Sequence, residues 1–313
     1  MTKNSTSSLD LAQAVALLRA GRLVAFPTET VYGLGANALD ETAVQRIYEA
    51  KGRPATSPLI VHVASVAMAR KVVSEWPAVA EKLAARFWPG PLTLVLPKAK
   101  RVPDVVTAGL GTVGVRIPAH PIALALIRKA RLPLAAPSAN RFTELSPVTA
   151  EQVRKALGEA VNLVLDGGPC RVGIESTVLS LAGPAPVLLR PGMVSREQIE
   201  ALIGPVLLAG APIEGQAHEA PGQHLKHYSP RAPLRLGIPV ETAGRAHLWW
   251  AIERPAEFSV RMPNDPDRYA AMLYDTLHRA DGLGVREIVV EPVPVGSDWD
   301  GIRDRLARAA IIA

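Results

Sequence analysis

Cysteine is nearly absent: Cys170 is the only one in 313 residues. That excludes an intrachain disulfide, argues against a cysteine-based zinc site, and leads us to expect a cytoplasmic chain. No apolar run reaches the roughly 20 residues a membrane-spanning helix needs. The opening stretch, Met1 to Ser8, is polar, so it does not read as a secretory signal. There is no internal repeat and no low-complexity tract. Two phosphate-binding fingerprints are missing as well. No Gly-x-x-x-x-Gly-Lys-Ser/Thr loop occurs, and Gly33-Leu34-Gly35 lacks the third glycine of a dinucleotide turn. His224 and His227 stand alone in a Pro-rich stretch, without the spacing of a zinc hydrolase. Ser138 lacks the flanking glycines of a nucleophile elbow.

What is present describes a globular chain. Hydrophobic residues make up 48% and charged residues 20%, enough for two domains with a sizeable core. The 28 prolines imply many rigid loops and strand ends. The net charge of +6 is uneven: 24 Lys+Arg face 17 Asp+Glu through residue 230, and 11 face 12 after it. Every lysine lies at or before Lys226. Anion binding is therefore expected in the first part, with phosphates or nucleic acid as the general candidates. A mild excess of this kind more often reflects solubility.

Periodicity outlines alternating helices and strands. Asp10 is expected to cap a helix with Leu11, Ala14, Val15, Leu17 and Leu18 on its apolar face, ending at Gly21. Strands are expected at 22–26, 59–63, 92–96, 113–117, 134–136, 162–165, 176–181 and 187–190. Asp40, Ser65, Pro77 and Thr149 are expected to open helices, a further helix lies near 122–129, and Ser195 with Gln198 forms a capping box for one ending at Ile203. From Gly204 to Pro233 periodicity dissolves into a Pro-, Gly- and His-rich linker. A small α/β unit follows, with strands near 234–238, 246–251 and 287–290 and helices at 266–280 and 299–311.

Four loop clusters could carry chemistry: Thr28–Tyr32, Lys51–Ser57, Ser138–Asn140 and Glu175–Thr177. Lys51 and Arg53 sit at a loop mouth where a point charge and a planar fork can converge on one anion. Alone, that loop reads more readily as a solvated turn, and the hydroxyls of the other clusters read as turn ties. Residues 27–35 are expected as a loop at a strand's C-terminal end, the ligand edge of open α/β sheets. His62, at a strand end, is as often a satisfied structural residue as a ligand contact. Arg116, on an apolar strand, requires an anion: Glu29, Glu175 or a ligand carboxylate. Cys170 is expected to pack as a small hydrophobe beside Pro169.

Together these segments resemble the Sua5/YrdC/YciO family. The matches are Pro-Thr-Glu-Thr-Val-Tyr-Gly-Leu-Gly at 27–35, Lys-Gly-Arg-Pro at 51–54, Pro-Leu-Ile-Val-His at 58–62 and Trp-Pro-Gly-Pro-Leu-Thr at 88–93. Pro-Ser-Ala-Asn at 137–140, Gly-Ile-Glu-Ser-Thr-Val at 173–178 and Arg-Pro-Gly at 190–192 complete the first domain. The linker at 220–230 and the tail at 301–310 resemble the long, two-domain Sua5 form. Ser57 stands where the family often has Asn, and Gln223 where its linker has Met.

The resemblance implies an α/β fold: a YrdC-like twisted open mixed sheet with helices over 1–204, a linker or lid over 205–233, and a smaller Rossmann-like Sua5 domain over 234–313. It implies synthesis of threonylcarbamoyl-AMP and pyrophosphate from L-threonine, bicarbonate or CO₂, and ATP, a nucleotidyl transfer that feeds tRNA modification beside the anticodon. Lys51, Arg53, Ser138 and Asn140 would form the signature tetrad. Arg53, Ser57, Thr112, Asn140, Ser146, Arg190 and Tyr228 would contact ATP, and Thr30, His62, Arg116, Ser138 and Ser176 threonine. No metal would be ligated by protein alone; Mg²⁺ would ride on ATP near Ser138 and Asn140. The partners implied are a downstream threonylcarbamoyl transferase complex and a weak tRNA or double-stranded RNA contact, with no membrane. A pure RNA-binding module, and a relative acting on another carbamoyl-adenylate substrate, are the rival readings.

Overall fold

The computed structural model describes residues 7–210, 228–239 and 243–310. The linker residues Gln223, His224, Lys226 and His227, and the end of the last expected helix, lie outside them.

The first ten strands form one sheet. They are β1 (Val24–Phe26), β2 (Gly33–Asn37), β3 (Ile60–His62), β4 (Leu92–Pro97), β5 (Thr112–Arg116), β6 (Leu134–Ala135), β7 (Leu163–Val164), β8 (Thr177–Ser180), β9 (Val187–Arg190) and β10 (Leu207–Leu208). Their order is β10-β9-β8-β4-β5-β3-β6-β2-β1-β7. The pairing is mixed: β3 runs parallel to β5, whereas β6 runs antiparallel to both β2 and β3. A second sheet of four parallel strands holds β11 (Leu234–Leu236), β12 (Arg245–Trp249), β13 (Phe258–Arg261) and β14 (Glu287–Val290), in the order β11-β14-β12-β13.

Local sequence explains the helix boundaries. The first helix, Ser8–Arg19, is capped by Ser7, and Asp10 sits three residues in, closing a capping box instead of serving as the cap itself. Asp40, Ser65, Thr149 and Ser195 all cap as expected. The helix Glu41–Lys51 ends at Gly52, whose φ of 60° releases the chain into the basic loop.

Three strands were not legible as such. β2 looks like a glycine loop because Gly33 and Gly35 hide the strand pattern. A Cβ on Gly35 would sit 2.6 Å from the Phe26 ring, so glycine lets β1 and β2 close over that side chain. β10 and β13 are short edge strands whose residues are exposed or half-buried: β10 has two residues, and β13 alternates over only four, Phe258–Arg261.

The core joins the domains. One apolar cluster runs from Val31 and Tyr32 through Ala139 and Leu145 to Tyr228, Tyr269, Leu273 and Tyr274. A separate cluster packs helices Ser8–Arg19 and Pro121–Ala130 onto β1 and β6 through Leu18, Phe26, Leu126 and Leu134. The domain contact is close enough to be backbone on backbone: a Cβ on Gly301 would lie 2.9 Å from Gly192 Cα. Two polar ties cross nearby, from Gln152 Nε2 to Asp275 Oδ1 at 3.0 Å and between His278 Nε2 and Ser146 O at 3.1 Å. Gly301→Ala is therefore expected to cost about 1–3 kcal/mol of stability by overpacking. Urea unfolding would measure it, and an unchanged midpoint would contradict the close approach.

Candidate functional site

A cavity opens over one face of the large sheet. Ile60 and His62, two residues apart on β3, share that face. The remaining walls come from loops: Thr28, Thr30 and Val31 after β1, Arg53 after the second helix, and Ala136, Pro137 and Ser138 after β6. Arg116 ends β5, Glu175 and Ser176 precede β8, Arg190 ends β9, and Tyr228 enters the second domain. The rule of a single ligand-binding carboxyl edge belongs to parallel sheets. Here β2, β6 and β3 alternate in direction, so the site lies on a face flanked by loops.

All five residues expected to touch threonine, Thr30, His62, Arg116, Ser138 and Ser176, line this cavity. So do Arg53, Arg190 and Tyr228 of the nucleotide set. Lys51, Ser57, Thr112, Asn140 and Ser146 do not line it. Thr112 lies instead beside a smaller cavity bounded by Pro58, Thr107 and Val178.

Three of these, Lys51, Ser57 and Ser146, hold residues on the cavity wall. Lys51 is 2% exposed, and its Nζ donates to the carbonyl of Ser138 at 2.6 Å and to that of Asn140. Burial first, and the Arg53 charge second, push the Lys51 pKa well below its ordinary value. Arg53 donates through Nε to Ser57 O at 3.2 Å and through Nη2 to Pro58 O at 3.0 Å, and Nη2 also reaches Ser57 Oγ. Its guanidinium lies 5.8 Å from the Phe142 ring centroid, and burial draws its pKa down to about 10. Asn140 donates from Nδ2 to Arg141 O at 2.7 Å and Glu144 O at 2.8 Å; its buried Oδ1 accepts no hydrogen bond from the described residues.

Arg116 has found its anion within the fold. Nη2 meets Glu29 Oε1 at 2.7 Å, with both side chains under 5% exposed. Nη1 donates to Thr30 Oγ1 at 3.0 Å and Nε to Gly90 O at 3.1 Å. Of the three anions the sequence left open, the internal one is Glu29, while Glu175 is engaged elsewhere. A ligand carboxylate at this spot would meet an ion pair, not a bare cation. His62 is 4% exposed, and burial, reinforced by Arg116, holds its pKa down at about 3. It is a neutral imidazole throughout the physiological range, and its Nδ1 is a buried atom without a hydrogen bond.

Arg190 donates to Ser176 O at 3.1 Å and to Ser176 Oγ at 3.3 Å; that hydroxyl also shares a 2.8 Å hydrogen bond with Thr93 Oγ1. Ser146 Oγ donates to Glu175. Glu175 in turn is gripped by Arg305 of the second domain. Burial disfavours its ionised form, but Arg305, Arg190 and Ser146 outweigh that and keep the carboxyl below its ordinary pKa. Arg305 was not singled out from sequence. Its signal was available: it sits on the buried stripe Gly301, Ile302, Arg305, Leu306 and Ala309, an arginine where an apolar residue is expected. Cys170 is buried as expected, with its thiol pKa pushed up by burial.

Comparison with known proteins places the chain in a family. Residues 16–192 match the Sua5/YciO/YrdC family model, described as "Telomere recombination", and residues 194–311 match "Threonylcarbamoyl-AMP synthase, C-terminal domain". A threonylcarbamoyl-AMP synthase of Bacillus subtilis is 44% identical over 98% of this chain and 94% of its own. One from Pyrococcus abyssi is 53% identical over 71% of this chain and 66% of its own. Among solved structures, P. abyssi Sua5 complexed with L-threonine superposes with a TM-score of 0.89 at 39% identity, covering 97% of this chain and 96% of that one. E. coli YciO superposes with a TM-score of 0.51 at 26% identity, over 58% of this chain and 88% of its own. Both domain types are therefore present in order, and the chain belongs to the Sua5/YrdC/YciO family in its two-domain Sua5 form.

Proposed function

We propose that the cavity is where a threonylcarbamoyl-AMP synthase joins L-threonine, CO₂ or bicarbonate, and ATP. One observation carries this: Thr30, His62, Arg116, Ser138 and Ser176, from five separate segments, line a single pocket with Arg53, Arg190 and Tyr228. Threonine's amine and CO₂ give a carbamate. A carbamate oxygen bonds to the α-phosphorus of ATP as the bond to the bridging oxygen breaks, and pyrophosphate leaves with the electron pair. That is a nucleotidyl transfer, and it needs positioning and charge neutralisation more than a nucleophilic side chain.

The residues divide the work. Arg53 and Arg190 face the nucleotide end and neutralise phosphate charge. Arg116, steadied by Glu29, orients the threonine carboxylate, while Thr30 and Ser176 offer hydroxyls. His62, with its pKa near 3, is too weak a base to accept a proton at neutral pH; it serves as a neutral hydrogen-bonding partner. Lys51 acts on the loop that carries Ser138 and Asn140, locking two of its carbonyls. A buried site excludes water from an adenylate that hydrolyses readily.

The donor set fits Mg²⁺ arriving on ATP. Asn140 Oδ1 is a buried oxygen without a hydrogen bond, two residues from the lining residue Ser138 and behind the cavity wall, and a carbonyl oxygen is the kind of ligand Mg²⁺ takes. Bound there, the ion would neutralise phosphate charge. A threonylcarbamoyl transferase acting on tRNA would consume the product. The lysine-bearing first domain supports a weak tRNA contact, and the single cysteine a cytoplasmic setting. No helix of the described residues is long and apolar enough to cross a membrane.

Incubation with ATP, bicarbonate and single amino acids is expected to release pyrophosphate only with threonine; threonine-independent release would refute the assignment. Lys51→Ala removes two charge-assisted hydrogen bonds worth about 1.5–3 kcal/mol each, so kcat/KM should fall by roughly 100-fold or more. Unaltered turnover would remove Lys51 from the mechanism. Acid should also weaken the fold through His62. Between pH 6.5 and about 3 the unfolded chain binds a proton there that the folded chain refuses. Stability thus falls as pH drops through that window, by up to about 1.4 kcal/mol per pH unit. Urea midpoints at pH 7 and 5 should differ less in His62→Gln than in the parent.

A further inference from the structure

The helix Asp300–Ala309 buries Arg305 completely, at 0% exposure. Its guanidinium engages two places in the first domain, Glu175 and Pro191. Nε donates to Glu175 Oε2 at 2.7 Å and Nη2 to Glu175 O at 3.1 Å. Nη1 donates to Pro191 O at 2.9 Å, and its own neighbour Asp304 adds a carboxylate at 2.7 Å. The flat face lies 5.1 Å from the centre of the Tyr228 ring. Tyr274, also from the second domain, donates to Glu175 Oε2 at 3.1 Å.

Those contacts reach three walls of the cavity. Glu175 and Tyr228 line it directly, and Pro191 directly follows the lining residue Arg190. Glu175 also holds Ser146, a member of the nucleotide set. The opposite end is built differently. Arg116 is held by Glu29, Thr30 and Gly90, and Glu29 Oε2 accepts from Ala119 N at 3.0 Å, all within the first domain. A cation this deeply buried loses its hydration, so it must be matched by fixed acceptors. Its planar fork can serve three acceptors at set angles and stack on a ring, which an ammonium cannot.

We propose that Arg305 is a positioning residue through which the second domain sets the nucleotide end of the cavity, fixing Glu175, the Arg190–Pro191 turn and Tyr228. This rests on the reading of the cavity as the ATP and threonine site. The second domain is then part of the site: without it, three of the walls lose their anchor, while the Arg116 end keeps its own.

The test is steady-state pyrophosphate release by the full chain. Arg305→Lys keeps the charge and loses the fork. It is expected to raise the KM for ATP about tenfold or more, the scale of one lost charged hydrogen bond, and to leave the KM for threonine within about twofold. Tyr274→Phe, which takes only a hydroxyl from Glu175, should shift the ATP KM the same way by about threefold. Methylguanidine should restore part of the ATP dependence to Arg305→Ala. Unchanged KM values, or an equal rise for both substrates alongside a lowered Tm, would overturn the proposal and leave Arg305 a packing residue. Should Arg305→Ala fail to fold, Arg305→Lys and Tyr274→Phe still decide. Arg116→Lys separates the two readings. If it leaves the threonine KM unaltered, the cavity assignment fails; if it raises that KM while Arg305→Lys leaves the ATP KM unaltered, the Arg305 proposal alone fails.

Discussion

Five cations lie out of water around one cavity. Lys51, Arg53, Arg116, Arg190 and Arg305 are between 0% and 7% exposed. Each would cost several kcal/mol to desolvate unless fixed acceptors replaced the water. The fold supplies them one by one: the carbonyls of Ser138 and Asn140 for Lys51, those of Ser57 and Pro58 for Arg53, and Glu29 for Arg116. Ser176 serves Arg190, and Glu175 with Asp304 serves Arg305. Acceptors of this kind are mostly backbone carbonyls, which carry partial charge. The five cations therefore outnumber the full carboxylates matched to them, Glu29, Glu175 and Asp304.

That requirement shapes the architecture around it. Carbonyls can be aimed only by loops of fixed geometry, and the loops concerned are stiffened by Pro54, Pro58, Pro91, Pro137 and Pro191. A mixed sheet brings such loops together from both directions, since β6 runs against its neighbours and returns Ser138 beside Gly33, where a bridge joins the two. The carboxylates come from the two segments that flank the sheet centre, Glu29 after β1 and Glu175 before β8. One is matched inside the first domain, the other across the domain boundary. The apolar core crosses that boundary too, through Tyr228 and Tyr274, whose rings stand 6.1 Å apart.

The sequence by itself determined much of the frame. Helix starts were legible because a cap is a local bond: Asp40, Ser65, Thr149 and Ser195 each satisfy an amide three residues on. The strand Val187–Arg190 and the strand Glu287–Val290 were readable from their own apolar runs. The cavity residues Thr30, His62, Ser138 and Ser176 were legible as motif residues, and Arg116 also from first principles, as a charge on an apolar strand. Tertiary structure alone decided the rest. β2 was hidden because its glycines answer to the Phe26 ring across the sheet, not to their own propensity. A sequence shows the charge of Lys51 and not its direction; in the fold its Nζ meets two carbonyls 87 and 89 residues away. Glu29 won Arg116 and Glu175 went to Arg305, 130 residues distant. Partners so far apart in the chain leave no periodic trace. Only the packing that removes water from both makes the pairing obligatory.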